Sequence, residues 1–283
     1  MKLPEGCNNI PYPCALLEAK EHHFAVMGIV NVTPDSFFDG GKYHETDAAV
    51  TRARELVSQG ADIIDIGGAS SRPGAEPVSP GEELRRVVPV IEGVADFFSG
   101  PISIDTTWSS VARGALSAGA TWINDISAGR CDPGMVPLAA ETGCVVVLMH
   151  SRETPQTMQL NPRYENVTAE VIAELLDAVE MFRRGGADGR RLVLDPGIGF
   201  AKTAEHNVTL LKEIRKLADT GFPVLAGTSR KSFLGHLTGK TVEDRLPGSL
   251  ASVATAWYGG VRIFRVHDVA ATVDFLTVLT GLS

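Results

Sequence analysis

The sequence predicts one (β/α)8 barrel over residues 24–283, preceded by an irregular segment over residues 1–23. Three observations carry that expectation. Short apolar runs alternate with segments of helical spacing, the pattern of parallel strands joined by crossover helices. Eight runs can be marked, which favours a closed barrel over an open sheet. Most of the runs stop at Asp, Asn, Arg or His, so polar residues collect at the strand ends where barrel enzymes build their sites.

In chain order the runs are 24–30, 62–66, 102–105, 121–125, 144–149, 191–195, 223–226 and 261–266. Helical stripes lie between them. Residues 48–59 place Ala49, Val50, Ala53, Leu56 and Val57 together, and 82–98 do the same with Leu84, Val87, Val88, Ile91 and Val94. Residues 168–184, 207–217 and 250–258 are similar, and 269–280 close the chain. Gly60, Gly119, Gly143 and the Gly259-Gly260 pair stand just before strands, where a left-handed glycine ends a helix. The proline-containing stretch 1–22 is expected to pack across the bottom or side of the barrel. No linker marks a second domain. The connections 31–46, 67–80 and 150–166 are long and follow strands, which favours function on that face.

Composition excludes some classes. With 44% hydrophobic and 21% charged residues the chain reads as an ordinary soluble globule. A net charge of −8 argues against a general nucleic-acid surface, although a few cations in one pocket could still take a small anion. No run of about 18 apolar residues offers a membrane span, and the first 23 residues lack an apolar signal core. Cys7, Cys14, Cys131 and Cys144 form no CxxC pair, so free thiols in a cytoplasmic protein are expected.

The strand ends offer Asn31, Asp65, Asp105, Asn124, His150 and Asp195, then Lys231 after the seventh run and Arg265 with His267 at the eighth. Any one of them could be a cap or turn former; nine in succession are hard to explain that way. Asp105, Asn124 and Asp195 suit a flat heterocycle bearing ring N–H and amino groups, and Lys231 could bond a ring oxygen or nitrogen. Asp125 points the other way from Asn124 on a strand, so Asn124 is the expected contact. Asp65 either orients the Gly67-Gly68 turn or contacts a ligand. His150 reads as a satisfied histidine and Arg230 as a surface ion pair. Ser71 and Arg72 in one loop, Arg265 and His267 at another, and a helix start after Asp268 together suit a phosphate. Asn31 either binds magnesium through oxygen, with phosphates completing the shell, or stabilises its turn. No GxSxG, Walker or HExxH motif is present, which favours a reaction driven by a leaving group.

The blocks MGIVNVTPDSFFDGG, DIGGASSRPGA, ISIDT, INDISAG, LDPGIGFAKT, TSRKSFLG, RLPGSLA and RVHD, in that order from Met27 to Asp268, resemble the dihydropteroate synthase family. The resemblance implies a (β/α)8 barrel, usually homodimeric, that requires magnesium. Its implied reaction joins 6-hydroxymethyl-7,8-dihydropterin pyrophosphate to p-aminobenzoate in folate biosynthesis. It assigns Asp105, Asn124, Asp195 and Lys231 to the pterin, and Ser71, Arg72, Arg265 and His267 to the pyrophosphate. Asn31 falls to the metal. Phe37, Pro73, Phe200 and Ser232 fall to the p-aminobenzoate pocket, where sulfonamides also bind. Asp35 and Asp39 lie in the first loop, which the family implies is mobile. Phe38, Ser71, Ile198 and Ala201 depart from the family's commoner residues without removing a group the chemistry needs. The implied mechanism is an S_N1-like loss of pyrophosphate, with Asp105, Asp195, Lys231, Arg265 and His267 as the catalytic groups. The nearest alternatives are a methyltetrahydrofolate-dependent methyltransferase, which needs no pyrophosphate site, and a non-catalytic pterin-binding paralogue.

Overall fold

Every strand of this chain must be buried on both faces, because helices cover one side and the opposite wall the other. The strand sequences meet that demand with β-branched and aliphatic residues and almost no exposure. The computed structural model describes residues 13–18, 23–32, 42–69, 76–152 and 162–282. Its strands are β1 (Ala25–Asn31), β2 (Ile63–Gly67), β3 (Ile102–Asp105), β4 (Trp122–Asp125), β5 (Val145–Met149), β6 (Leu192–Asp195), β7 (Leu225–Ala226) and β8 (Ile263–Val266). All pair in parallel, in the order β6-β5-β4-β3-β2-β1-β8-β7. A single parallel bridge from Leu194 to Val224, with Leu194 N donating to Pro223 O at 2.9 Å, brings β6 against β7 and closes the ring. The expected barrel is the observed one, and each strand lies within a residue or two of its apolar run.

Helices follow the strands: α2 (Lys42–Ser58), α3 (Pro80–Ala95), α4 (Ser109–Ser117), α5 (Met135–Thr142), α6 (Val167–Arg184), α7 (Ala204–Lys212), α8 (Ile214–Ala218), α9 (Ser232–Thr238), α10 (Leu246–Tyr258) and α11 (Val269–Gly281). The stripe expected over 207–217 is two helices, broken at Glu213, whose φ of −105° and ψ of 11° leave the helical range. Helices α4, α5 and α9 have only seven to nine residues, too few for a clear stripe. Gly60, Gly119, Gly143 and Gly260 all take positive φ, as their places before strands require.

The segment expected to be irregular contributes a helix, α1 (Pro13–Glu18). Its Leu16 and Leu17 pack against Ala25, Met27, Ile63, Trp122, Val145, Val147, Val193, Leu225 and Ile263. These residues sit at every second position of their strands, so they share the inward face. The helix therefore plugs the N-terminal end of the barrel. The other strand face, with Val26, Ile64, Ile104, Ile123, Leu148, Leu194 and Phe264, joins the helices in the larger core.

Candidate active site

Counting two residues on from the apolar plug along each strand reaches the opposite mouth. Ile63 leads to Asp65, Trp122 to Asn124, Val193 to Asp195 and Ile263 to Arg265; Asp105 ends β3 beside Asn124, its register partner. These side chains meet. Arg265 Nε donates to Asp65 Oδ2 at 2.6 Å and its Nη2 to Asp105 Oδ2 at 2.7 Å. Asn124 Nδ2 donates to the same Asp65 oxygen at 3.1 Å. Asp65 is thus neither a loop former nor isolated: it is the buried acceptor that orients Arg265 and Asn124. Asp65 Oδ1 and Asn124 Oδ1 are buried without a hydrogen-bond partner among the described residues. An acceptor in that condition is costly unless something else supplies N–H groups.

The connections after the strands fix the remaining groups. Asp125, facing outward, accepts from Ser127 N and Oγ and from Gly129 N at 2.7–2.8 Å and so only builds its turn. Asp195 Oδ1 accepts from Gly197 N at 2.7 Å. Gly197 has φ +66°, and a Cβ there would stand 1.9 Å from His150 O, so no other residue fits. Beyond β7, Lys231 Nζ lies 4.1 Å from the centre of the Phe200 ring. Arg230 spans to Asp268 with two hydrogen bonds of 2.8 and 2.7 Å, tying the loop of Lys231 to that of His267. The ion pair expected of Arg230 is therefore present, though half-buried. Asp268 consequently does not cap α11 with its side chain. Ser229 Oγ accepts from His267 N at 3.2 Å and lies 3.1 Å from His267 Nδ1. With the hydroxyl donating its proton to Nδ1, the neutral ring carries its own on Nε2.

Burial dominates the electrostatics. It pushes the Asp195 carboxyl up to about 6 against the opposing Gly197 amide and Lys231. It also raises Asp105, with Arg265 opposing. Lys231 is brought down to about 8, by burial first and Arg265 second. His267 falls to about 4 for the same two reasons, so at neutral pH it is an uncharged donor. Burial acts to lower Arg265, but the carboxylates of Asp65 and Asp105 together outweigh it and hold the guanidinium above its ordinary value.

Asp105, Asn124, Asp195, Lys231, Arg265, His267 and Phe200 gather at this mouth. Asn31 ends β1 and is exposed; Ser232 is exposed at the first turn of α9. Asp35, Phe37, Phe38, Asp39, Ser71, Arg72 and Pro73 lie outside the described residues. His150 is satisfied, with Nε2 3.0 Å from Glu174 Oε2 and Nδ1 3.0 Å from Lys202 Nζ. Two contributors had gone unremarked in the sequence. Ser229 orients His267, and Lys202 is buried beneath the β6 loop. A lysine closing an apolar, glycine-rich loop was the available signal for the latter.

The model of pterin-binding enzymes matches residues 27–267. The dihydropteroate synthase of Synechocystis sp. is 45% identical over 258 residues, which cover 91% of this chain and 89% of that protein. The chain belongs to the dihydropteroate synthase family. Solved structures of the family superpose closely on it. That of the Xanthomonas albilineans enzyme with 4-aminobenzoic acid has a TM-score of 0.86 at 47% identity, covering 91% of this chain and 92% of that one. The same enzyme in complex with 7,8-dihydropteroate gives 0.83 at 45% identity, covering 91% and 93%. Family membership makes the chain a transferase.

Proposed function

We propose that this chain condenses 6-hydroxymethyl-7,8-dihydropterin pyrophosphate with p-aminobenzoate, releasing 7,8-dihydropteroate and pyrophosphate. The observation that carries the reading is the buried Asp65–Arg265–Asp105 cluster, with Asn124 Oδ1 and Asp65 Oδ1 left as acceptors beside Asp195 and Lys231. A pterin edge presents the N–H groups those acceptors lack. Arg265 keeps further guanidinium N–H groups after its two carboxylate bonds, and His267 offers Nε2–H, so both can meet a phosphate. Phe200 supplies an aryl wall next to Lys231.

In the reaction the methylene–oxygen bond breaks and its electron pair leaves with pyrophosphate. The cation spreads into the electron-rich dihydropterin, where Asp195 and Asp105 stabilise it. The aryl amine then donates its lone pair to the methylene and gives up a proton to water or to the released pyrophosphate. Stabilising the departing anion is the main contribution of Arg265 and His267, and also of Arg72 and Ser71 in the second loop.

Asn31 gives a hard oxygen at an exposed strand end, and no cluster of three His, Cys, Asp or Glu lies among the described residues. That donor set fits a magnesium ion that takes most of its ligands from pyrophosphate and water. Bound there, the ion would neutralise charge on the leaving group. Tyr258, Val278 and Leu282 are exposed on and just beyond α10 and α11, the face we assign to a homodimer. No helix among the described residues is long and apolar enough to cross a membrane, and we assign the protein to the cytoplasm.

The test is an assay with both substrates and Mg²⁺ in which pyrophosphate release and product mass are both followed. Dihydropteroate with stoichiometric pyrophosphate is expected; substrates bound without release would overturn the reading.

A further inference from the structure

The connection from β6 to α7 contains a buried cation that the chemistry above does not use. Lys202 is 2% exposed. Its Nζ lies 3.0 Å from Phe200 O, 3.1 Å from Gly197 O, 3.3 Å from His150 O and 3.0 Å from His150 Nδ1. None of these acceptors is a carboxylate. An ammonium buried among neutral acceptors is expensive, and burial brings this one down to about 7.

The loop is shaped around it. Gly197, Gly199 and Ala201 take φ of +66°, +84° and +48°. These left-handed residues coil the backbone tightly, and the carbonyls of Gly197 and Phe200 turn onto Nζ. Behind the ammonium stands His150, whose Nε2 faces Glu174 Oε2, itself held by Arg152. A ring that donates from Nε2 to a carboxylate presents Nδ1 as an acceptor. In front stands the site: Phe200, projecting from the coiled loop, meets Lys231. Asp195 touches the loop only at its first turn, where Oδ1 accepts from Gly197 N at 2.7 Å, and it is held otherwise by the barrel: its carbonyl accepts from His150 N at 2.9 Å and its strand pairs with β5.

We propose that Lys202 is a positioning residue for the aryl-amine side of the site: its buried ammonium, held by the His150–Glu174 pair, winds the loop that sets Phe200 beside Lys231. This rests on the function proposed above.

Lys202→Met keeps similar length and bulk and removes the donors. The expected outcome is a KM for p-aminobenzoate raised about tenfold or more, with kcat and the calorimetric Kd of the pterin pyrophosphate within about threefold. Phe200→Ala should behave alike, and the double variant should be no worse than the poorer single one. Equal losses for both substrates, an unchanged KM, or additive losses would each overturn the proposal. Hydrogen exchange needs no substrate. In Lys202→Met, the amide of Phe200, which donates to Gly197 O, should exchange about tenfold faster or more while those of β5 and β6 keep their rates. If that variant does not fold, the unsubstituted protein decides. Without ligand its Phe200 amide should exchange about a hundredfold slower than open chain, and open-chain rates would overturn the proposal. If the unsubstituted protein forms no dihydropteroate, the functional reading fails, while the exchange comparison still judges the loop.

Discussion

The two ends of this barrel interior are built on the same strand faces, two residues apart, and their chemistries are opposed. At the N-terminal end, Met27, Ile63, Trp122, Val193 and Ile263 make a dry plug under Leu16 and Leu17. At the C-terminal end the next inward positions are Asp65, Asn124, Asp195 and Arg265. The plug is stabilised by removing apolar area from water, a non-directional gain that each residue makes almost independently. The mouth holds ionised groups that are tolerable only while each has its partner. Damage to the plug should therefore cost stability alone, and damage to the mouth should cost stability and chemistry together.

The largest effects test that contrast directly. Arg265→Met leaves Asp65 and Asp105 buried without their cation, and should lower stability by about 3–5 kcal/mol and kcat/KM by about 10²–10³. Trp122→Ala at the plug should cost about as much stability, roughly 3–5 kcal/mol, yet leave kcat/KM within about threefold at a temperature where the variant is folded. Urea denaturation beside steady-state kinetics measures both. A folded Trp122→Ala protein with activity as low as that of Arg265→Met would end the distinction between the two ends.

Asp195 gives a finer test, because here the mouth loses stability in order to work. Its folded pKa, about 6, stands above the ordinary 3.8. The carboxyl's stabilising contribution is therefore complete below pH 3.8 and is lost as pH rises through 6, leaving a cost of about 3 kcal/mol at neutral pH. Asp195→Asn should raise the melting temperature at pH 7.5, show no gain near pH 3.5, and weaken pterin binding. A gain equal at both pH values would mean that burial of the charge is not its source.

The barrel was legible because alternation and glycine caps are local signals, and because parallel strands buried on both faces read as short apolar runs. The site was legible where a polar residue ended such a run. Asp65 remained ambiguous because its partners, Arg265 and Asn124, are 200 and 59 residues away in sequence; counting inward from Ile63 would have placed it. Ser229 and Lys202 act through other residues: the glycine-rich loop that Lys202 closes is a local signal, but nothing near either residue in sequence points to its partner, His267 or His150. Helices α4 and α5 escaped because they are only nine and eight residues long: the stripes they bury, Val111, Ala112, Ala115 and Leu116 in one and Met135, Leu138 and Ala139 in the other, are too short to stand out in the sequence.

His267 refines the expectation for anion binding. Arg265 is committed to two carboxylates, so its removal should disturb pterin and pyrophosphate alike. The His267 side chain touches neither carboxylate, and its bond runs to Ser229. His267→Ala should weaken inorganic pyrophosphate about tenfold, near the 1.4 kcal/mol of one hydrogen bond to a charged group. Pterin binding should stay within about twofold. Calorimetry on each ligand decides, and equal losses for both would place His267 in the Arg265 cluster instead.

The smallest effect is expected at Ala201, in the same loop as Gly197. Both residues have positive φ, +48° and +66°. For Ala201, the left-handed conformation costs about 1–2 kcal/mol, which glycine would relieve. Glycine would also loosen the unfolded chain, worth about 0.4–1 kcal/mol, and would give up a buried methyl, about 0.8 kcal/mol. That methyl packs with Met149 and Phe200 at 2% exposure. The terms nearly cancel, so Ala201→Gly should move the melting temperature by no more than about 2 °C. Gly197→Ala has no such cancellation. Its Cβ would stand 1.9 Å from His150 O, a backbone atom that cannot move without unpairing β5 from Asp195. Differential scanning calorimetry of the two variants separates strain from steric exclusion: similar shifts at both positions would show that φ alone sets the cost, whereas a large loss confined to Gly197→Ala would assign it to the close approach of the loop to His150.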